Sequence, residues 1–185
     1  GIGGYSTETV GEDMELVVRL HRRMRKQKRG YQIHFIPDPV CWTEVPHQWR
    51  MLARQRNRWQ RGLGQALYRN LSMFANPKYG SIGMLAMPYF FMVELLSPAV
   101  ELFGYALFGI ALYLGVVYWE AVVTFLILAV WMGIFLSLLS VLLEEFTLHR
   151  YPRVRNLLKL LFCAVLENFG YRQMTAFFRL KGLYD

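Results

Sequence analysis

The apolar positions change their period several times along the chain. Residues 9–29, "TVGEDMELVVRLHRRMRKQKR", place Leu16, Val17, Leu20 and Met24 at helical spacing, which predicts an amphipathic helix. Thr9 stands where an N-cap would, and Glu12 three residues on completes a capping box. Arginines and lysines crowd the last turns, where they complement the helix dipole, and Gly30 is the expected stop. Residues 31–36, "YQIHFI", alternate and predict a strand, which the prolines of "PDP" at 37–39 end. Pro46 suits the first turn of a long basic helix over about 46–70, and "ANPKYG" at 75–80 reads as a break.

From there the pattern becomes nearly continuous. Residues 84–118 would make a helix of about 52 Å, against a bilayer core of about 30 Å, so they exceed one crossing. Pro88, Glu94, Pro98 and Glu101 also interrupt them. The stretch divides into an interfacial helix at about 82–97 and a spanning helix at about 98–118. A second span covers about 121–143, and the short turn between the two predicts a hairpin. Residues 156–173 are apolar over too few positions to cross comfortably and read as an amphipathic or re-entrant helix. Lysines and arginines cluster at 19–69, 150–159 and 172–181, with none between the spans. The positive-inside rule then predicts a multi-pass cell-membrane protein, with both termini in the cytoplasm and the turn near 118–120 outside.

Composition sharpens this division. The 185 residues carry a net charge of +8 and are 55% apolar. Most of the charge lies in the first 80 residues, so the average describes a basic polar part and a membrane part. The basic residues lie mostly beside the membrane segments, and that bias accounts for a pI of 9.7 without a nucleic-acid partner. Cys41 and Cys163 fall in different regimes and suggest no disulfide framework. His21, His34, His47 and His149 lack ligand spacing, so no metal site is expected among them. The opening "GIGGYSTETVGED" has no basic and apolar leader pattern, and reads as the interior of a longer protein. Asn70-Leu71-Ser72 is a glycosylation sequon on the predicted cytoplasmic side, and Glu94 and Glu101 are acids in the membrane part with no assigned role.

Two groups of residues can carry chemistry. Gln55, Arg58 and Trp59 stand at i, i+3 and i+4 and share one side of the basic helix. An amide, a guanidinium and a flat ring together suit a ligand with both a pyrophosphate and a sugar. The alternative is a solvated basic helix with Trp59 in the core. Glu12 and Asp13 lie in the first turn of their helix, where carboxylates are common for dipole reasons. Either can also act as a general base toward a sugar hydroxyl.

Together, "GED" at 11–13, "QRNRW" at 55–59 and the hydrophobic hairpin resemble the membrane-embedded family 2 glycosyltransferases, which include the cellulose, chitin, hyaluronan and poly-N-acetylglucosamine synthases. "GGY" at 3–5, "HFIPDPVCWTEVP" and "RG" at 61–62 are similar as well. The resemblance implies that Asp13 is the general base, with Glu12 beside it. It implies that Trp59 stacks on the acceptor sugar, while Gln55 and Arg58 hold the nucleotide pyrophosphate. The reaction it implies is inverting transfer from a nucleotide-sugar donor to a saccharide or lipid-linked acceptor. The implied fold is an α/β remnant over 1–78, the C-terminal part of a GT-A-type transferase domain, followed by an α-helical transmembrane region over 79–185. The family's nucleotide-binding half and its metal-binding D-x-D motif would lie in a missing N-terminal part of the same enzyme. Mg or Mn is expected to bind there, and the 185 residues alone are expected to be inactive. Two spans are too few to enclose a polymer channel. The rival reading is a non-enzymatic, basic, membrane-anchored adaptor that binds anionic lipids.

Overall fold

The computed structural model describes residues 3–34, 36, 41, 43–148 and 153–185. The expected stop at 37–39 and His149 lie outside them. The described residues build seven helices: α1 Glu12–Lys26, α2 Trp49–Arg69, α3 Ile82–Leu95, α4 Ser97–Tyr113, α5 Trp119–Leu148, α6 Val154–Leu166 and α7 Tyr171–Tyr184. Two compact units result: the segment up to Leu102 together with Ala176–Asp185, and Phe103–Thr175.

The α/β expectation is overturned. Among the described residues there is no strand, and 31–34 and 36 have no regular structure. A strand is defined by its ladder, and an alternating segment with no neighbouring strand has nothing to donate to or accept from.

In the first unit the chain starts α1 by packing and not by capping. Gly11 is the N-cap and makes no side-chain bond, while Thr9 is buried with no hydrogen-bond partner for its Oγ1 among the described residues. The reason is a backbone contact. A Cβ added to Gly62 in α2 would lie 2.8 Å from the Cα of Gly11, and the reverse is also true. Around this contact, the Val10 N–H donates to Gln65 Oε1 at 3.0 Å, Arg69 pairs with Glu8 at 2.8 Å, and Arg22 donates to the Arg69 carbonyl at 3.2 Å. At its other end α1 stops before Gly30. Lys28 takes the left-handed conformation, φ 53°, while the N–H groups of Lys28 and Arg29 bond back to the carbonyls of Arg25 and Met24.

The core of this unit is Leu67, Met73, Met87 and Leu95, with Val18, Leu63, Phe91 and Leu183 packed around it. The α2 helix begins at Trp49, with Gln48 as its extended N-cap, so Pro46 lies ahead of it. The α3 helix is widened, with π-type turns at Ile82–Ala86 and Phe90–Leu95 on either side of Met87–Tyr89. Pro88 has no N–H for the carbonyl four residues back, and the neighbouring turns absorb the mismatch. The α3 and α4 helices meet at a 42° bend.

In the second unit, α5 is the one helix among the described residues that is long and apolar enough by itself to cross a membrane; α3 and α4 qualify only as a bent pair. Thr124 and Thr147 on α5 return their hydroxyls to the carbonyls of Glu120 and Leu143 at 2.8 and 2.7 Å, which pairs both hydroxyls within the helix. The end of α6 meets α5 closely: a Cβ on Gly133 would lie 2.5 Å from Asn168 Oδ1, and Ser137 Oγ donates to Glu167 Oε1 at 2.7 Å.

Gly62→Ala is expected to destabilise the chain by about 1–3 kcal/mol, since two backbones must separate. Gly64→Ala, whose methyl would meet Leu95 Cδ1 at an ordinary 3.5 Å, should be neutral or stabilising. Denaturant titration of both variants and the parent chain in one detergent measures the difference.

Candidate functional site

The glycine contact brings the two candidate groups together. Gly11 directly precedes Glu12 and Asp13, and Gly62 follows Trp59 by less than one helical turn. The first turn of α1 therefore sits against the C-terminal side of the Gln55–Trp59 stretch.

Glu12 and Asp13 are both exposed. Asp13 Oδ1 accepts the Met14 N–H at 2.8 Å, which holds the carboxylate at the positive end of α1. Asp13 also edges a cavity of about 430 Å³ whose walls are largely apolar, among them Val17, Leu63, Ala66, Met87 and Phe90. His21 lies on the same cavity, and its Nδ1 is 2.6 Å from the Tyr31 hydroxyl. Burial, and then the Arg25 guanidinium nearby, lower the His21 pKa below the ordinary 6.5.

On α2, Gln55 is half-buried, whereas Arg58 and Trp59 are exposed. At 46% exposure Trp59 is not a core residue. The Arg56 guanidinium lies over its ring, 5.0 Å from the centroid. Arg58 faces elsewhere, into a basic groove of about 520 Å³ that α2 forms with α7. The three residues thus spread around the helix, with Gln55 between the other two; Arg58 and Trp59 are adjacent in sequence and so about 100° apart.

Two buried polar positions that hold these helices together were not visible in the sequence. Gln60 is buried at 3% exposure. Its Nε2 donates to the Leu95 carbonyl at 2.8 Å, and its Oε1 accepts from Arg179 Nε at 2.9 Å. Arg179 also donates to the Glu94 carbonyl at 2.6 Å and pairs with the Glu94 carboxylate at 3.5 Å, so Glu94 belongs to a latch joining α2, α3 and α7. Glu15 is also buried; it pairs with Arg19 Nε at 3.2 Å, and Arg19 donates to the Gly4 carbonyl at 2.5 Å. That chain of bonds ties the "GGY" segment to α1, and the Glu-to-Arg spacing of four was its only signal. Asn70 of the sequon is buried at 1% exposure and donates to the Ala66 carbonyl at 2.9 Å, so no glycan can be attached to it in this fold.

The helix of Gln55, Arg58 and Trp59 thus packs on the helix that begins with the Glu12–Asp13 pair, and these are the residues that carried the resemblance. Comparisons with known proteins give the family. The model of the glycosyl transferase family group 2 matches residues 1–166, and the chain belongs to that family. It is 32% identical over 95 residues to "Probable glycosyltransferase YdaM" of Bacillus subtilis (strain 168), covering 51% of this chain and 21% of that protein. It is 33% identical over 69 residues to the "Poly-beta-1,6-N-acetyl-D-glucosamine synthase" of Staphylococcus aureus (strain COL), covering 37% of this chain and 15% of that protein. The chain therefore spans about a fifth or less of the length of these relatives. No solved structure matches it.

The lowered His21 pKa fixes a pH response. In the folded state the ring resists protonation, so the unfolded chain binds more protons once the pH drops below 6.5. Stability is full above that value and is lost as the pH falls through the lower folded pKa. Thermal unfolding midpoints from about pH 8 to about pH 5 are expected to fall more steeply in the parent chain than in His21→Gln.

Proposed function

We propose that this chain is the acceptor-side and membrane part of a membrane-bound, inverting glycosyltransferase. The enzyme would move a sugar from a nucleotide-sugar donor to a saccharide or lipid-linked acceptor in cell-envelope polysaccharide synthesis. The observation that carries the reading is the Gly11–Gly62 contact, which sets Asp13 against the helix of Gln55, Arg58 and Trp59. In this mechanism the acceptor sugar lies on the open part of the Trp59 ring. Its hydroxyl gives its proton to the Asp13 carboxylate, with Glu12 beside it, as the oxygen attacks the anomeric carbon. The bond from that carbon to the nucleoside diphosphate breaks on the opposite side, so the configuration inverts. Gln55 donates to the departing diphosphate, and the Arg58 guanidinium takes up its charge.

A divalent cation would help neutralise that leaving group. Among the described residues no three His, Cys, Asp or Glu side chains converge, so they do not fit one. We assign Mg or Mn, and the nucleotide pocket, to a part of the enzyme outside this chain, and no step here runs through the metal. By the same reading the 185 residues alone release no nucleoside diphosphate.

Asp13→Asn keeps the size and the local hydrogen bond. In the protein that carries this segment it is expected to lower kcat by about 10²–10⁴-fold with normal insertion. Trp59→Ala should raise the KM for acceptor, and Arg58→Lys the KM for donor, because lysine keeps the charge but loses the fork. Steady-state titration against each substrate separates them; identical defects, or none, would mark both as structural residues.

The membrane reading is that about 98–118 and α5 cross a cell membrane as a hairpin, with α3 at the interface and both ends of the chain in the cytoplasm. Its support is the apolar length of α5 and the absence of basic residues between the two segments. A cysteine replacing Glu120 should react with an impermeant thiol reagent on intact cells, and one replacing Arg153 should not. The opposite pattern would sink the topology.

A further inference from the structure

The apolar cavity beside Asp13 is a crevice between two helices. Asp13, Val17 and His21 line it from α1 at intervals of four residues, so they form one row about 12 Å long. Leu63 and Ala66 line it from α2, and Leu63 follows Trp59 by four residues on the same side of that helix. Met87 and Phe90 of α3 close it. The α1 and α2 helices run side by side in one direction: Gly11 meets Gly62 at one end, and Arg22 donates to the Arg69 carbonyl at the other. The crevice therefore leads away from Asp13 and Trp59 toward His21.

Its two ends differ. At the mouth Asp13 is exposed, with the exposed Glu12 next to it in sequence, so this end is anionic. At the far end the His21 ring is already engaged by the Tyr31 hydroxyl at 2.6 Å. Between them the walls are largely hydrocarbon. Val17 stands 49% exposed in that wall, on a helix of 15 residues that is not among those able to cross a membrane. Sugar hydroxyls placed against such walls would give up their bonds to water and find none in return, whereas an alkyl chain gives up nothing. A largely apolar cavity of about 430 Å³ with one polar group at its mouth has the size and lining of a small-ligand site. The mouth also selects the head of that ligand. Carboxylates accept from sugar hydroxyls and repel a phosphodiester.

Resting on the transferase reading above, we propose that this cavity holds the alkyl chain of the acceptor, which is an uncharged glycolipid with its sugar at Asp13 and Trp59. The tail anchors the sugar by its anomeric end and leaves the hydroxyls of its other carbons to the carboxylate. The step is unchanged: the hydroxyl oxygen bonds to the donor's anomeric carbon, its proton passes to Asp13, and the nucleoside diphosphate leaves.

The test uses two photoreactive probes with the same diazirine-bearing alkyl tail, one headed by a β-glucoside and the other by phosphocholine. Each is applied to the 185-residue chain and to the protein that carries this segment, both in lipid nanodiscs, and the adducts are mapped by peptide mass spectrometry. The glucoside is expected to label Val17, Leu63, Met87 and Phe90, and the phosphocholine probe to label them about tenfold less. Val17→Trp, which fills the crevice, should cut the glucoside labelling about tenfold, the worth of about two buried methylene groups. Val93→Trp, at an exposed position of α3 that does not line the cavity, should leave it within about twofold. Should Val17→Trp misfold, Val17→Gln makes the same wall polar, and unchanged labelling there overturns the cavity. Initial rates are then measured with octyl glucoside and with free glucose as acceptors, against a panel of nucleoside-diphosphate sugars. The parent protein should prefer octyl glucoside, and Val17→Trp should lower that preference about tenfold. Equal labelling by the two probes means bulk membrane lipid, and labelling of the 185-residue chain alone means that another protein segment fills the crevice; either overturns the proposal. Transfer to free glucose with no preference for octyl glucoside refutes the glycolipid and leaves the transferase reading standing. Transfer to neither acceptor refutes the transferase reading, and the glycolipid acceptor with it, even where the cavity is labelled.

Discussion

Everything in the first unit depends on two glycines that let two backbones touch. Gly11 and Gly62 leave no room for a side chain between α1 and α2. Close backbone approach fixes a helix crossing more tightly than interdigitated side chains can, because there are no rotamers to adjust. The carboxylates at the start of α1 and the aromatic and basic positions of α2 inherit that precision. The bonds around the contact, from Val10 to Gln65 and from Arg69 to Glu8, hold the crossing against rotation but do not create it.

The second constraint is polar. Gln60 sits in the middle of a mostly apolar contact and satisfies the last carbonyl of α3 while receiving Arg179 from α7. A buried amide with both ends bonded specifies one register, since any slip leaves a donor or an acceptor unmet. It lies one residue after Trp59, so the residue that anchors α2 and the exposed indole project to different sides of one turn. A buried side chain is thus coupled directly to an exposed one.

Much of this was legible in the sequence, for definite reasons. The α1 and α2 helices announce themselves through apolar spacing, and α5 through an unbroken apolar run, because periodicity reports local geometry directly. The carboxylate pair and the Gln55–Trp59 stretch were singled out because their residue types are unusual together, and the structure adds that their helices pack on one another. The strand at 31–36 could not be judged, since alternation describes one strand and a sheet needs two. The Thr9 cap failed because tertiary contact overrode a weak local preference. Lys28 took the left-handed turn expected of Gly30, since the hydrogen-bonded end came two residues early. Gln60 and Glu15 were invisible because a polar residue in a polar helix carries no mark of burial. The division between α6 and α7 falls at Glu167-Asn168-Phe169-Gly170, a polar and glycine-bearing break that reading 156–173 as one helix passed over.

The guanidinium over Trp59 has a consequence for stoichiometry. An indole ring has two faces, and Arg56 occupies one. A ring open on both sides could be sandwiched by two saccharide units and would not distinguish one direction of approach from the other. With one face taken, the residue would be monovalent under the proposed function: it would seat a single sugar unit at a time and present it with one orientation. Chain polarity, the question of which end of a saccharide is read, would then be decided by an arginine that never touches the sugar.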